Sequence, residues 1–197
     1  MNECVKNAIK HLLRKHMNFE TRFKKEIVPA LKKELGLKND LQVPHILKVT
    51  LNVGVGKSLK DPNYLTSVED SFTRIAGQKP VRTKAKKSIS SFKIRQGLVV
   101  GLKATLRKKR MYDFLEKLFA FTLPRIRDFR GLDMKAIDKQ GNLSIGFKEH
   151  LPFPEVRSDE IDRVHGIEVA ITTNAGDRKT GLALFRAIGV PFKEGKD

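Results

Sequence analysis

Between residues 19 and 35 the apolar side chains Phe19, Phe23, Ile27, Leu31 and Leu35 recur every four positions, with Gly36 directly after. That interval gathers apolar groups on one side of a helix, and glycine supplies a C-terminal stop. The pattern predicts a helix over 19–35, with Pro29 a site for a kink. The next run, HILKVTLNVGVG, sets Ile46, Lys48, Thr50 and Asn52 against Leu47, Val49, Leu51 and Val53. This period of two belongs to a strand with one apolar face and one polar, available face. Asp61 can cap a helix with Pro62 in its first position, running through Tyr64, Leu65, Val68, Phe72 and Ile75 to Gly77. VRTK and SFKIRQ read as strands on either side of a long exposed loop over the basic, small-residue stretch 85–90. A further strand is expected over 97–107, where Leu102, Ala104 and Leu106 alternate with Lys103, Thr105 and Arg107. A helix over 111–123 ended by Pro124, strands at 143–148 and 167–173, and a helix at 179–188 complete the pattern. Strands that return through hairpins and helices, without regular βαβ alternation, predict an α+β domain with helices covering one sheet face.

Charge changes the picture from fold to partner. The 197 residues hold 40 Lys and Arg against 22 Asp and Glu, a net charge of +18, which a compact domain accumulates to meet a polyanion. The excess is localised: residues 74–110 carry 13 basic side chains and no acid, while 39–73, 111–150 and 151–197 sum to −1, +1 and −1. A charge spread for solubility would not be gathered in this way. Apolar residues interleave the basic run (Val81, Ile89, Phe92, Ile94, Leu98, Val99 and Val100) and are expected to pack in a sheet. Nucleic acid is the implied partner. A membrane is not, because no stretch approaches the roughly 20 consecutive apolar residues of a spanning helix.

Several chemistries are excluded by spacing. VGVGKS ends like a phosphate-binding loop, but Leu51 stands where a Walker loop needs its first glycine, and Leu59 where a dinucleotide fingerprint needs its third. Gly54 and Gly56 are instead expected to give permissive backbone at a strand end. His11, His16, His45, His150 and His165 show no metal-ligand spacing and read as surface or packing residues. Asp159, Glu160 and Asp162 read as a capped first helical turn after Ser158. Cys4 is the sole cysteine, so no internal disulfide forms, and a reducing compartment fits. No metal, cofactor or enzymatic activity is expected. Residues 1–17 read as a basic N-terminal extension, either an amphipathic RNA-contacting or fraying segment or an organelle transit peptide, ahead of a single RNA-binding domain at 18–197.

In order, the runs QVPHILKVTLNVGVG, GQKPVRTKAKKSISSFKIRQG, LRKKRMYDFLEKL, PRIRDFRGL and DRVHGIEVAITTNA closely resemble the bacterial form of the large-subunit ribosomal protein family numbered five. The resemblance covers about residues 19–193. It implies an antiparallel β-sheet with helices packed on one face and the other face open to RNA, receiving 5S rRNA in the central protuberance. By motif the RNA-facing positions are Asn52 in TLN, Gln78 and Lys79 in GQKP, and Thr105 and Arg107 in TLR; Asn52, Thr105 and Arg107 also fall on polar strand faces. The same resemblance implies that the loop over 84–94 approaches peptidyl-site tRNA. Lys84, Lys86, Lys87, Ser88, Lys93 and Arg95 are its candidate contacts, with packing at the loop base an alternative for Lys79 and Arg95. The other partners implied are 23S-type rRNA, neighbouring central-protuberance proteins, and a small-subunit head protein met across a bridge by KEHLPFPEV. The location implied is the cytoplasmic ribosome, or an organellar one if the extension is a transit peptide. A free RNA-binding chaperone or regulator is the alternative reading.

Overall fold

The computed structural model describes residues 19–56, 62–156 and 164–193. The extension at 1–17, the Asp61 cap and the acidic turn at 159–162 lie outside these. The described residues form five strands and four principal helices. In chain order these are α1 (Phe19–Arg22, Phe23–Ile27 and Val28–Glu34 in succession), β1 (Ile46–Gly54), α2 (Pro62–Ala76), β2 (Val81–Lys84), β3 (Val99–Leu106), α3 (Lys108–Lys117, Leu118–Thr122 and Leu123–Arg125), β4 (Leu143–Phe147), β5 (Ile167–Thr173) and α4 (Arg178–Ile188). The sheet is antiparallel, in the order β2-β3-β1-β5-β4, so the α+β expectation holds. None of these helices is long and apolar enough to cross a membrane.

The described residues group into two compact units, one drawn from 19–49, 107–145 and 170–193, the other from the rest. In the first, Phe19, Phe23, Ile27 and Leu31 of α1 are all buried, and the rings of Phe19 and Phe23 lie 6.0 and 5.9 Å from that of Tyr112 on α3. Burial among them pushes the Tyr112 hydroxyl above its ordinary pKa. Both α1 and α3 contain a π-helical turn, Phe23–Ile27 and Leu118–Thr122. The N–H of Val28 bonds back five residues to Phe23, and that of Leu123 to Leu118. In each case a proline follows, Pro29 or Pro124, which lacks an N–H and would crowd the carbonyl four residues earlier in a regular α-helix. The wider turn relieves that crowding, so Pro124 does not end α3; the helix continues to Arg125. On α4, Gly181 meets Gly141 so closely that a Cβ on Gly181 would stand 2.5 Å from the Gly141 Cα. Only glycine fits.

The turn holding Gly141 depends on Asp138, whose carboxylate accepts from the N–H groups of Gln140 and Asn142 at 2.9 and 2.8 Å and from the Asn142 amide at 2.8 Å. Partial burial opposes its charge, but the Asn142 amide and the backbone donors outweigh it and hold its carboxyl below the ordinary carboxylate value. A depressed folded pKa contributes stability that is present above the unfolded value and lost as pH falls through the folded one. Asp138→Ala should therefore cost about 1 kcal/mol at neutral pH, solvent competing for these exposed bonds. In thermal melts the difference from wild type should shrink below about pH 4. An equal difference at pH 7 and pH 3 would contradict this.

In the second unit Tyr64, Val68, Phe72 and Ile75 line the buried side of α2, as their spacing predicts. The helix ends where Gly77 takes φ +64°, a left-handed value that turns the chain toward β2. Phe147 and Phe153 meet edge to face at 5.3 Å, and the rings of His150 and His165 stack at 4.0 Å inside the unit. These two histidines are packing residues.

Three further expectations need correction. SFKIRQ is not a strand: it forms the turn and return limb of an arm at 85–98, because Lys93 takes a left-handed φ of +55°. In β1, alternation holds from Val49 onward, but Ile46 is buried and Leu47 is 47% exposed, the reverse of the expected parity. Two residues, Leu47 and Lys48, separate buried Ile46 from buried Val49, a one-residue slip that period-two reading does not foresee. Lastly, neither Gly54 nor Gly56 has a left-handed φ, and a Cβ on either would meet nothing. The permissive backbone expected there is not used.

Candidate nucleic-acid interface

Strand parity builds the site. Along β3, Leu102, Ala104 and Leu106 are buried, while Lys103 is exposed and Thr105 half-buried. Antiparallel pairing sets Val81 of β2 opposite Lys103, and Thr83 opposite Gly101, on that same side. Arg82 stands opposite buried Leu102 instead, and its guanidinium donates to the Glu69 carboxylate of α2 at 2.9 and 2.5 Å. That pair shows which side of β2 and β3 carries the helix. The other side presents Val81, Thr83, Lys103 and Thr105.

Asn52 of β1 is exposed between buried Leu51 and Val53, and its amide donates to Glu168 of β5 at 3.4 Å. Gly101 forms the floor between Asn52 and Thr83. A Cβ there would stand 2.7 Å from Thr83 Oγ1, 3.2 Å from the Val53 carbonyl and 4.0 Å from Asn52 Oδ1. Gly101→Ala should displace Thr83, lower stability by about 1 to 3 kcal/mol, and weaken any ligand seated on this face. Wild-type urea stability for that variant would show that the floor is not tight.

The remaining expected face residues sit nearby in the chain. Gln78 is half-buried and donates to the Thr105 carbonyl at 3.4 Å, whereas Lys79 is exposed. Arg107, in the first unit, is exposed and extended ahead of α3.

The arm is an ordered hairpin. Ala85 exchanges backbone bonds with Leu98 and Gly97, Ile89 and Ile94 exchange both of theirs at 2.9 and 3.1 Å, and Lys93 donates to Ser90 at 3.0 Å across the tip. Ser88 is exposed, but its hydroxyl oxygen accepts the Gln96 N–H at 3.0 Å, bracing the two limbs. Lys84, Lys86, Lys87, Lys93 and Arg95 are all exposed, which disfavours packing at the loop base for Arg95, as exposure does for Lys79. Among the described residues none of these cations has an acidic partner, in contrast to Arg82.

Val99 and Val100 are half-buried in β3, but four apolar residues of the basic run do not pack as expected: Val81 is 69%, Phe92 68%, Ile89 44% and Leu98 37% exposed. The arm is a two-limbed ribbon, and Val81 lies on the edge strand beside Lys103, so no second layer covers them. Thr83, Gly101 and Lys103 were missed by motif, although strand parity marks Lys103. No group of three or more metal-ligating side chains occurs among the described residues.

The family model described as ribosomal protein L5 matches residues 39–95, and the model for the C-terminus of the same ribosomal family matches residues 99–192. The chain is 51% identical over 171 residues to the large ribosomal subunit protein uL5 of Francisella tularensis subsp. novicida, covering 87% of this chain and 96% of that one. It is 48% identical over 170 residues to the uL5 protein of Herpetosiphon aurantiacus, covering 86% and 95%.

Proposed function

The chain belongs to the uL5 family of large-subunit ribosomal proteins, and from that premise we propose that it anchors 5S rRNA in the central protuberance and reaches peptidyl-site tRNA with its arm. It is a ribosomal protein and not an enzyme. The observation that carries the proposal is the set of exposed cations on the ordered arm and on β3, Lys84, Lys86, Lys87, Lys93, Arg95 and Lys103, within a segment, 74–110, that holds no acid. In this reading Asn52, Gln78, Lys79, Thr105 and Arg107 contact 5S rRNA, by amide, hydroxyl and charge-assisted bonds to its backbone. Lys84, Lys86, Lys87, Ser88, Lys93 and Arg95 form the tRNA-facing arm. Residues 148–156 meet a small-subunit head protein, and 23S-type rRNA and neighbouring proteins complete the surroundings.

Recognition is of folded RNA by shape and phosphate position. The chain lacks the RRM aromatic signature, and with no Trp and two Tyr single-strand base stacking is not its main mode of binding. The test is 5S rRNA binding by the free, full-length protein. Arg107→Ala should lose about 1.5 to 3 kcal/mol of affinity and Asn52→Ala about 1, both with unchanged thermal unfolding. Wild-type affinity in a folded Arg107 variant would remove that residue from the site. Sedimentation separates the alternative: persistence at the top of a high-salt gradient, away from large subunits, would favour a free RNA-binding protein.

A further inference from the structure

We propose that Phe92, at the tip of the arm, stacks on an unpaired base of the RNA that the arm reaches. The inference rests on the arm's being an RNA-contacting element and goes beyond it, because the surrounding cations specify only phosphate.

Phe92 is 68% exposed. It does not belong to a frayed segment, since the Ile89–Ile94 pair and the Lys93-to-Ser90 bond close the tip on either side, and the Ser88–Gln96 bond braces the limbs behind it. The left-handed Lys93 fixes the turn directly after it. Its ring has no aromatic neighbour among the described residues. An ordered hairpin therefore holds a flat apolar ring in solvent, among Lys84, Lys86, Lys87, Lys93 and Arg95, with no acid anywhere in 74–110.

Those surroundings select the occupant. An apolar protein groove would have to accommodate five cations, whereas nucleic acid supplies anions for them and a π-face for the ring. Paired bases are sealed within their stack, so the ring can reach only a base in a loop, bulge or end. One aromatic group serves one base. Stacking on it tolerates any base identity, and the contact fixes the arm's position on folded RNA without reading sequence.

The chain has no tryptophan, so Phe92→Trp creates a lone fluorescent reporter in the full-length protein. It is titrated with a stem-loop RNA and with a blunt duplex of equal phosphate number, at matched salt. The expected result is quenching by the stem-loop and little by the duplex. Phe92→Ala and Phe92→Leu should each bind the stem-loop about 5- to 150-fold more weakly, the range that one base–aromatic stack contributes. Their salt dependence, duplex affinity and thermal unfolding should stay unchanged. If Leu restores wild-type affinity, or both RNAs quench alike, the ring is not stacking and the proposal fails. A triple Lys84→Gln, Lys86→Gln, Lys87→Gln variant separates the premise. If that variant loses affinity while the Phe92 variants do not, stacking alone is wrong. If it binds as wild type does, or wild type binds neither RNA, the arm does not contact RNA and stacking falls with it.

Discussion

Replacing Lys84, Lys86, Lys87 and Lys93 together by glutamine should lower the affinity of the free protein for structured RNA by about a hundredfold at 50 mM salt, and most of that difference should vanish by 200 mM. Each phosphate contact contributes about 0.9 to the slope of log affinity against log salt, so four lost contacts remove about 3.6 from it. The four side chains are exposed and have no acidic partner among the described residues. Their loss therefore breaks no bond within the fold and relieves mutual repulsion, and thermal stability should hold or rise slightly. Filter binding across a salt series checks the first statement and calorimetry the second. Parallel salt slopes for variant and wild type would mean that the arm makes no phosphate contact.

Phe72→Ala should have the largest effect on the fold. The ring is fully buried on α2, and truncating a buried phenylalanine costs about 3 to 5 kcal/mol, a large part of the 5 to 15 kcal/mol available to a domain. The melting temperature should fall by roughly 10 °C. RNA binding should return on cooling, since Phe72 is buried on α2 and none of the proposed RNA-contacting residues belongs to that helix. A loss below about 1 kcal/mol in urea denaturation would show that the site collapses around the gap.

These two variants divide the molecule as its sequence does. Buried strand and helix faces were legible because burial imposes a period, and Leu102, Ala104, Leu106, Val68 and Phe72 all follow it. Periodicity could not say that Val81 and Phe92 face water, since an apolar residue of correct parity looks the same whether or not a second layer exists to cover it. It also mistook SFKIRQ for a strand. That turn uses a left-handed lysine where glycine or asparagine would have announced it. Of the candidate site, the cations were plain in the charge count, but the floor at Gly101 was not, because a close approach by Thr83 belongs to a partner strand.

The π turns of α1 and α3 have a consequence for reading such helices. A regular α-helix completes a turn in 3.6 residues, so a strict interval of four drifts around the axis by 40° at each step. Yet Phe19, Phe23, Ile27 and Leu31 are all buried, as are Met111, Leu115, Phe119 and Leu123. Underwinding at the wide turn takes up the drift, much as a leap day returns a calendar to the season. A single-residue deletion inside Phe23–Ile27 or Leu118–Thr122 would therefore restore ordinary winding and leave Leu31 or Leu123 on its buried face, whereas a deletion elsewhere in either helix, with the wide turn intact, would swing every side chain beyond it by about 100°.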